Sequence, residues 1–310
     1  MITERKIQTA VITGPTGAVG AALCRHLLAA GVRVYAVVRP GSARLGTLPA
    51  GVQIVPCDQA ELEKLPERLP VPQADAFYHL AWQGTTGAAR NDLEAQMENV
   101  RASLAAVRAA KKLGCQVFIG AGSQAEYGRV EGLLRADTPA FPETGYGMAK
   151  LCAGQMTRLA CEQEGMAHVW VRILSVYGPQ DGGGSMISSV ILKLLRGETP
   201  ALTAGEQLWD YLYADDAAEA LYRCALRGRD GAVYPLGSGQ AMPLRNYVEI
   251  LRDAIDPALP LGFGRVPYAP LQVMHLQADI SDLTRDTGFV PRTPFETGIR
   301  NTIDWMRTVR

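Results

Sequence analysis

Three side chains near the middle of the chain are of types that could move a proton and hold a carbonyl: Ser123, Tyr146 and Lys150. Tyr146 and Lys150 stand four residues apart in Tyr146-Gly-Met-Ala-Lys150, and in a helix that spacing puts phenol and ammonium on one face. A neighbouring positive charge favours phenolate. Lys150 is therefore expected to draw the Tyr146 pKa from about 10 toward the working pH, which makes the phenol a usable proton donor or acceptor. Ser123 follows the apolar run Gln116 to Ile119, where a strand should end, and its hydroxyl can hold a substrate oxygen. In isolation a tyrosine and lysine at this spacing are mostly a surface pair. The order of features gives it weight: a glycine-rich turn opens the chain, and the serine precedes the tyrosine.

These groups need a scaffold, and the chain supplies strands alternating with helices. Gln8 to Thr13 reads as a strand, and Gly14-Pro-Thr-Gly17-Ala-Val-Gly20 leads from it into a helix over Ala21 to Ala30. Glycines let a backbone approach a pyrophosphate, and a helix N-terminus offers free N–H groups to it. Gly14, Thr16, Gly17, Ala18, Val19 and Gly20 are therefore candidate cofactor contacts. Val32 to Val38 is the second strand. Where an Asp or Glu would meet the adenosine ribose of NAD, the chain has Arg39, Ser42 and Arg44, which suit the 2′-phosphate of NADP. NADP is the expected cofactor, NAD the possible one, and stacking on the adenine is the other reading of Arg39.

Gln53 to Cys57 and Ala76 to Leu80 are the third and fourth strands, and Asp58 can cap a helix over Ala60 to Leu69. Trp82, at the carboxyl end of a strand, reads as a pocket wall or as ordinary packing. Asp92 to Leu113 has Met97, Val100, Leu104 and Val107 at helical spacing, and His168 to Ser175 is the next strand. Past Pro179 the regular alternation stops. Asp181 to Gly184 is a glycine-rich crossing, followed by a helix over Ser185 to Arg196 and a brief strand over Trp209 to Tyr213. Asp215 and Asp216 cap a helix over Ala217 to Arg227, Ala232 to Leu236 is a strand rejoining the sheet, and Leu244 to Ile255 is a helix. A turn over Gly288 to Pro291 and a helix over Pro294 to Met306 close the chain. The expected fold is α/β: a Rossmann-type doubly wound parallel sheet over residues 1–180, rejoined by segments near 211–237. Residues 181–310 form mainly a smaller C-terminal α/β substrate lobe.

Taken in order, the G-x-x-G-x-x-G turn, Ser123, Tyr146 with Lys150, and Val171-Arg-Ile-Leu-Ser-Val-Tyr177-Gly-Pro179 resemble the short-chain dehydrogenase/reductase superfamily. The likeness is to its extended, nucleotide-sugar-modifying branch and covers nearly the whole chain. It implies that Ser123, Tyr146 and Lys150 are catalytic, with Tyr146 and Lys150 also against the nicotinamide ribose. It places Asp58 near the adenine amino group and Leu80 and Ala81 along the cofactor. Asn99 matches an asparagine beside the active site and Ser175 replaces the family's asparagine, and the resemblance implies that both contact the cofactor. Trp82, Gln124 and Trp209 fall on the substrate side. The resemblance also implies a homodimer packed through the Asp92 and Tyr146 helices. Ala149, Leu151, Ala153, Met156, Leu159 and Ala160 allow that, although core burial explains most of them.

Composition excludes other classes. With 310 residues and 47% hydrophobic content, the chain can bury one large core and a smaller lobe. Lys+Arg 31 balance Asp+Glu 31, so no basic field gathers nucleic acid. No apolar run reaches the roughly eighteen residues of a membrane span, and Met1 to Lys6 lacks the apolar core of a signal peptide. A cytoplasmic enzyme is expected. Cys24, Cys57, Cys115, Cys152, Cys161 and Cys224 form no C-x-x-C pair and the histidines no ligand spacing, so neither disulfides nor a metal site is expected.

Neighbouring residues discriminate among reactions. Sugar 4,6-dehydratases carry an Asp-Glu pair directly after the serine, because eliminating water needs an extra acid and base. Here Gln124 and Ala125 stand there, and Glu126, one position on, is expected to face away. UDP-sugar 4-epimerases usually have an arginine before the Asp-Tyr that matches Asp210-Tyr211. Trp209 stands there instead and could stack on a base. A second arginine expected upstream of Ala278-Asp279 falls at Ala269, with Arg265 close. The expected reaction is NAD(P)H-dependent reduction of the keto group of a nucleoside-diphosphate 4-keto-6-deoxy sugar, with Tyr146 as proton donor. An NAD-retaining nucleotide-sugar epimerase stays open, as does a non-catalytic NADP-binding regulatory protein, although such proteins commonly lose the tyrosine or lysine kept here.

Overall fold

Thr9–Thr13 (β1) is buried along its whole length, as a strand covered on both faces must be. In the computed structural model, which describes residues 4–182, 184–270 and 272–308, it lies inside a seven-stranded parallel sheet. Gly183 of the expected crossing lies outside the described residues. After β1 come α1 (Ala18–Ala29), β2 (Arg33–Val38), β3 (Gln53–Pro56), α2 (Leu65–Arg68) and β4 (Ala76–His79). Then follow α3 (Leu93–Lys112), β5 (Val117–Ser123), α4 (Gly145–Gln163) and β6 (Ala167–Ile173). The strands order as β10-β6-β5-β4-β1-β2-β3, where β10 is Ala232–Leu236, paired in parallel with β6. The order reverses between β1 and β4. A crevice must open there at the carboxyl ends of the strands, where open α/β sheets bind ligands.

One face of the sheet is covered by α1 packed on α6 (Ala214–Arg227), the other by α3 packed on α4. Leu23, Leu27, Leu221 and Phe289 fill the first layer, and Val107, Leu113, Phe77 and Phe118 the second. The remaining elements build the lobe: β7 (Ser175–Tyr177), α5 (Met186–Leu194), β8 (Leu208–Trp209), β9 (Tyr211–Tyr213), β11 (Met242–Pro243) and α7 (Leu244–Ile255). They are joined by β12 (His275–Leu276), α8 (Ser281–Thr287) and α9 (Phe295–Thr308). Ile187, Ile191, Leu251, Ile299 and Ile303 from α5, α7 and α9 form its core.

Several boundaries differ from the sequence reading for physical reasons. The expected helix over Ala60 to Leu69 is a 3₁₀ segment, Gln59–Lys64, kinked at Glu61, followed by the short α2 with Pro66 in its first turn. Proline lacks the N–H that a continuous helix would need from it. The strand expected over His168 to Ser175 divides, since β7 leaves the large sheet and pairs in parallel with β9. The strand expected over Trp209 to Tyr213 also divides at Asp210: β8 joins β11 and β12, and β9 joins β7. Asp215 and Asp216 lie inside the first turn of α6, which Tyr213 caps without a side-chain bond. Asp215 instead meets Arg25 at 2.8 Å, and Asp216 accepts the Thr293 N–H at 2.9 Å. No helix among the described residues is long and apolar enough to cross a membrane, and no group of three potential ligands could hold a metal ion.

Candidate active site

The crevice is built first by glycine. Gly14 adopts φ +70°, and a Cβ there would lie 2.7 Å from the Ala81 nitrogen; a Cβ on Gly20 would lie 2.2 Å from the Gly14 carbonyl oxygen. Only glycines let the end of β1 and the start of α1 come this close. Gly17 caps α1 without a side-chain bond, so the first N–H groups of the helix, at Ala18 and Val19, have no side-chain cap. A cleft of about 270 Å³ opens beside this turn, lined among others by Gly14, Thr16, Arg39, Ser42, Arg44 and Asp58, with Ala81 and Trp82 opposite. The cradle fits the pyrophosphate and adenosine of a nicotinamide dinucleotide.

Not every candidate uses its side chain there. Asp58 Oδ1 accepts the Ala60 N–H at 3.0 Å, so the capping reading holds while the residue also lines the cleft. Arg44 Nη2 donates to the Gln180 carbonyl at 2.9 Å, whereas Arg39 is exposed at the rim. Leu80 contributes backbone: its N–H donates to the Thr13 carbonyl at 3.2 Å, and its carbonyl backs Gly14. Asn99 is buried; its Oδ1 accepts the Gln83 N–H at 2.9 Å and its Nδ2 donates to the Gln83 carbonyl at 2.9 Å, which pins the loop that carries Trp82. Ser175 does not line this cleft. Its Oγ accepts the Trp209 indole N–H at 2.8 Å, which moves it to the substrate lobe.

Ser123, Tyr146 and Lys150 converge where β5 ends against the first turns of α4. Thr144 caps that helix by accepting the Gly147 N–H at 3.1 Å. Ser123 Oγ accepts the Ala125 N–H at 3.2 Å, which leaves its proton to donate, and it is hydrogen-bonded to the Tyr146 phenol. Lys150 is buried; Nζ donates to the Ala121 carbonyl at 2.6 Å and lies 3.7 Å from the centre of the Trp82 ring. Trp82 meets Tyr146 edge-on at 6.1 Å and donates its indole N–H to Gln96 Oε1 at 2.8 Å.

Burial raises the Tyr146 pKa, opposed by the Ser123 hydrogen bond and the Arg90 charge, with Glu126 adding to the rise. Lys150 Nζ lies 5.9 Å from the centre of the Tyr146 ring. Stripped of water by burial and only partly supported by Glu126, its own pKa falls to about 7. Glu126 is fully buried beneath the site: it accepts from the Ser123 N–H at 2.8 Å, the Trp170 indole at 3.0 Å and Arg172 Nε at 2.7 Å. Its carboxylate is turned inward. Gln124 is half-buried beside Ser123.

On the lobe side, Trp209, Tyr211, Leu244, Val248, Phe263 and Val266 line an apolar cavity of about 320 Å³. The Arg245 guanidinium stacks over Phe263 at 4.0 Å, Arg265 is exposed between two lining residues, and Ala269 is exposed. Sequence reasoning missed Arg90, Gln96 and Thr13. Arg90 lies 4.5 Å over the Tyr146 ring, and Thr13 Oγ1 joins His79 to the Ala81 N–H. Gly84 to Asn91, which carries Arg90, has no periodicity to mark it; Thr13 was legible only as the last residue of a strand.

A parallel sheet in this order, a glycine dinucleotide cradle and a serine–tyrosine–lysine group define an enzyme of the extended short-chain dehydrogenase/reductase class, an NAD(P)-dependent oxidoreductase type. The sequence model of the NAD dependent epimerase/dehydratase family matches residues 10–237, and the chain belongs to that family. It is 26% identical over 340 residues to dTDP-glucose 4,6-dehydratase of Neisseria gonorrhoeae, covering 98% of this chain and 97% of that one. Its fold is similar to that of UDP-N-acetylglucosamine 4-epimerase from Methanobrevibacter ruminantium, at a TM-score of 0.88, 24% identity and coverage of 99% and 100%. The Thermus thermophilus UDP-glucose 4-epimerase has a TM-score of 0.85 at 22% identity, covering 97% of this chain and 100% of that one.

Proposed function

We propose that the chain reduces the keto group of a nucleoside-diphosphate 4-keto-6-deoxy sugar, preferring NADPH, with Tyr146 as the proton donor. The observation that carries this reading is an intact Ser123, Tyr146 and Lys150 group with no elimination acid–base pair beside it. Ala125 is buried and only its backbone reaches Ser123, Gln124 has no exchangeable proton of useful pKa, and Glu126 is held by Arg172. Its relatives include enzymes named for dTDP- and UDP-sugars, which supports a nucleotide-linked substrate. The apolar cavity at Trp209 suits the base.

Bound in the cleft, the dinucleotide supplies the hydride. Ser123 donates to the substrate carbonyl oxygen and polarises it, and Tyr146 delivers its proton to the same atom. Lys150 holds the nicotinamide ribose hydroxyls, and Trp82 walls the pocket against water.

The bond between Arg44 and the Gln180 carbonyl favours a second reading, an epimerase that retains NAD, because it leaves Arg39 to meet a 2′-phosphate without Arg44. Nucleotide released from purified protein separates the two: tightly held NAD supports the epimerase. An empty site that binds NADPH over NADH by fluorescence titration supports the reductase. NADPH oxidation with CDP-, dTDP- and GDP-4-keto-6-deoxy sugars then finds the substrate. Tyr146→Phe is expected to cut turnover by about 10²–10⁴-fold with cofactor affinity nearly intact. Retained activity removes Tyr146 from proton transfer. Arg39→Asp should shift preference to NADH, and an unchanged ratio places phosphate recognition elsewhere.

A further inference from the structure

The Lys150 ammonium lies against an aromatic face. Besides the Ala121 carbonyl at 2.6 Å, its near neighbour is the Trp82 ring, whose centre stands 3.7 Å from Nζ. Glu126, the carboxylate whose field reaches the ammonium, is already paired with Arg172 at 2.7 Å. The indole is fixed from behind. Its N–H donates to Gln96 Oε1 at 2.8 Å, and its ring packs against the buried cluster of Val100, Ala149, Ala153 and Trp170. Gln96 is itself buried on α3, and its Nε2 donates to the Gly84 carbonyl at 3.0 Å and the Ala89 carbonyl at 3.2 Å. A Cβ on Gly84, which adopts φ +68°, would lie 2.6 Å from the Ala89 oxygen, so the loop after Trp82 closes tightly around that amide.

We propose that Trp82 is a positioning residue: its indole face holds the Lys150 ammonium by a cation–π contact and keeps that charge in place for the nicotinamide ribose. A cation stripped of water against a tryptophan face is attracted by the ring's quadrupole, and tryptophan is the strongest of the aromatic partners. The attraction works against burial, which drives the ammonium to give up its proton at about pH 7. An ammonium has three N–H groups. The Ala121 carbonyl and the indole face occupy part of them and leave donor capacity for ribose hydroxyls. A smaller side chain at position 82 would give the ammonium room to turn away. The inference rests on Lys150 holding the nicotinamide ribose and does not depend on the outcome of the Tyr146→Phe assay.

The test reads binding, not turnover. The full chain, freed of nucleotide, is titrated by calorimetry with the tighter of NADPH and NADH and with the matching adenosine half, 2′,5′-ADP or ADP. Trp82→Leu is expected to weaken the dinucleotide about tenfold and leave the adenosine half unchanged, and Trp82→Phe to restore most of the loss. In a chain already carrying Lys150→Met, Trp82→Leu should cost nothing further. A loss that persists beside Lys150→Met, or that the adenosine half shares, overturns the proposal. A parent that binds neither dinucleotide overturns the cofactor reading itself, and the proposal with it. Trp82 is half-buried, so the variants should melt cooperatively; Trp82→Met replaces Trp82→Leu if that one does not.

Discussion

At the scale of single residues, burial decides which protonation state the fold accepts. His79 sits between Thr13 Oγ1 at 2.9 Å and Ser103 Oγ at 3.1 Å, and burial lowers its pKa to about 3; His168, held by Thr157 Oγ1 at 3.0 Å, falls to about 4. Both are neutral in the fold and protonate more easily when unfolded, at about pH 6.5. The unfolded chain therefore binds more protons below that pH, and stability is expected to fall from pH 6.5 toward 4. Urea midpoints across that range check this, and His168→Gln should flatten the slope. Lys150 acts in the same sense at higher pH: the unfolded chain holds its proton from pH 7 to 10.5, so the cost of burying the ammonium is full below pH 7 and relieved progressively above it. Lys150→Met should stabilise the cofactor-free protein, with its advantage over the parent shrinking between pH 7 and 9. Ser123, Tyr146 and Lys150 were legible because their spacing is local and tied to strand and helix ends. Arg90 was not, since its partner lies more than fifty residues away and no pattern in a glycine-rich loop announces it.

At the scale of elements, periodicity located the strands of the large sheet and the long helices, while caps and branch points set their ends. Asp92 Oδ1 accepts the Ala95 N–H at 3.2 Å and starts α3, so Asp92→Ala should cost about 1 kcal/mol, read from the denaturation midpoint. The split at Asp210 was illegible, because an unbroken run from Trp209 to Tyr213 does not reveal that its halves belong to two sheets. Asp210 explains the split. Its fully buried carboxylate accepts from the Ser238 N–H and hydroxyl at 2.6 Å each, and from the Gly239 and Ala278 N–H groups at 3.1 Å each. It thereby ties two loops behind Trp209. Asp210→Asn puts an amide donor against N–H donors and is expected to destabilise by about 2–4 kcal/mol, with looser ligand binding in the Trp209 cavity. Equal stability would mean that water rescues those donors.

At the scale of the whole molecule, two features reach beyond one site. Leu93 and Met97 on α3 and Met148, Met156 and Leu159 on α4 are exposed, at 64%, 48%, 53%, 44% and 51%. We propose that this face pairs with a second copy of the chain. Met156→Lys should then shift sedimentation toward a monomer while the melt stays cooperative, and a parent already monomeric at micromolar concentration rules the pairing out. The other feature is the last strand of the large sheet. β10 lies beside β6 only because residues 232–236 return after the chain has built part of the lobe. During synthesis, the apolar β6 therefore leaves the ribosome well before its neighbour does, with one row of backbone groups unpaired. A gene cut near codon 180 should yield aggregates rather than a cofactor-binding fragment, and the interval before β10 emerges is when the nascent protein most needs a chaperone.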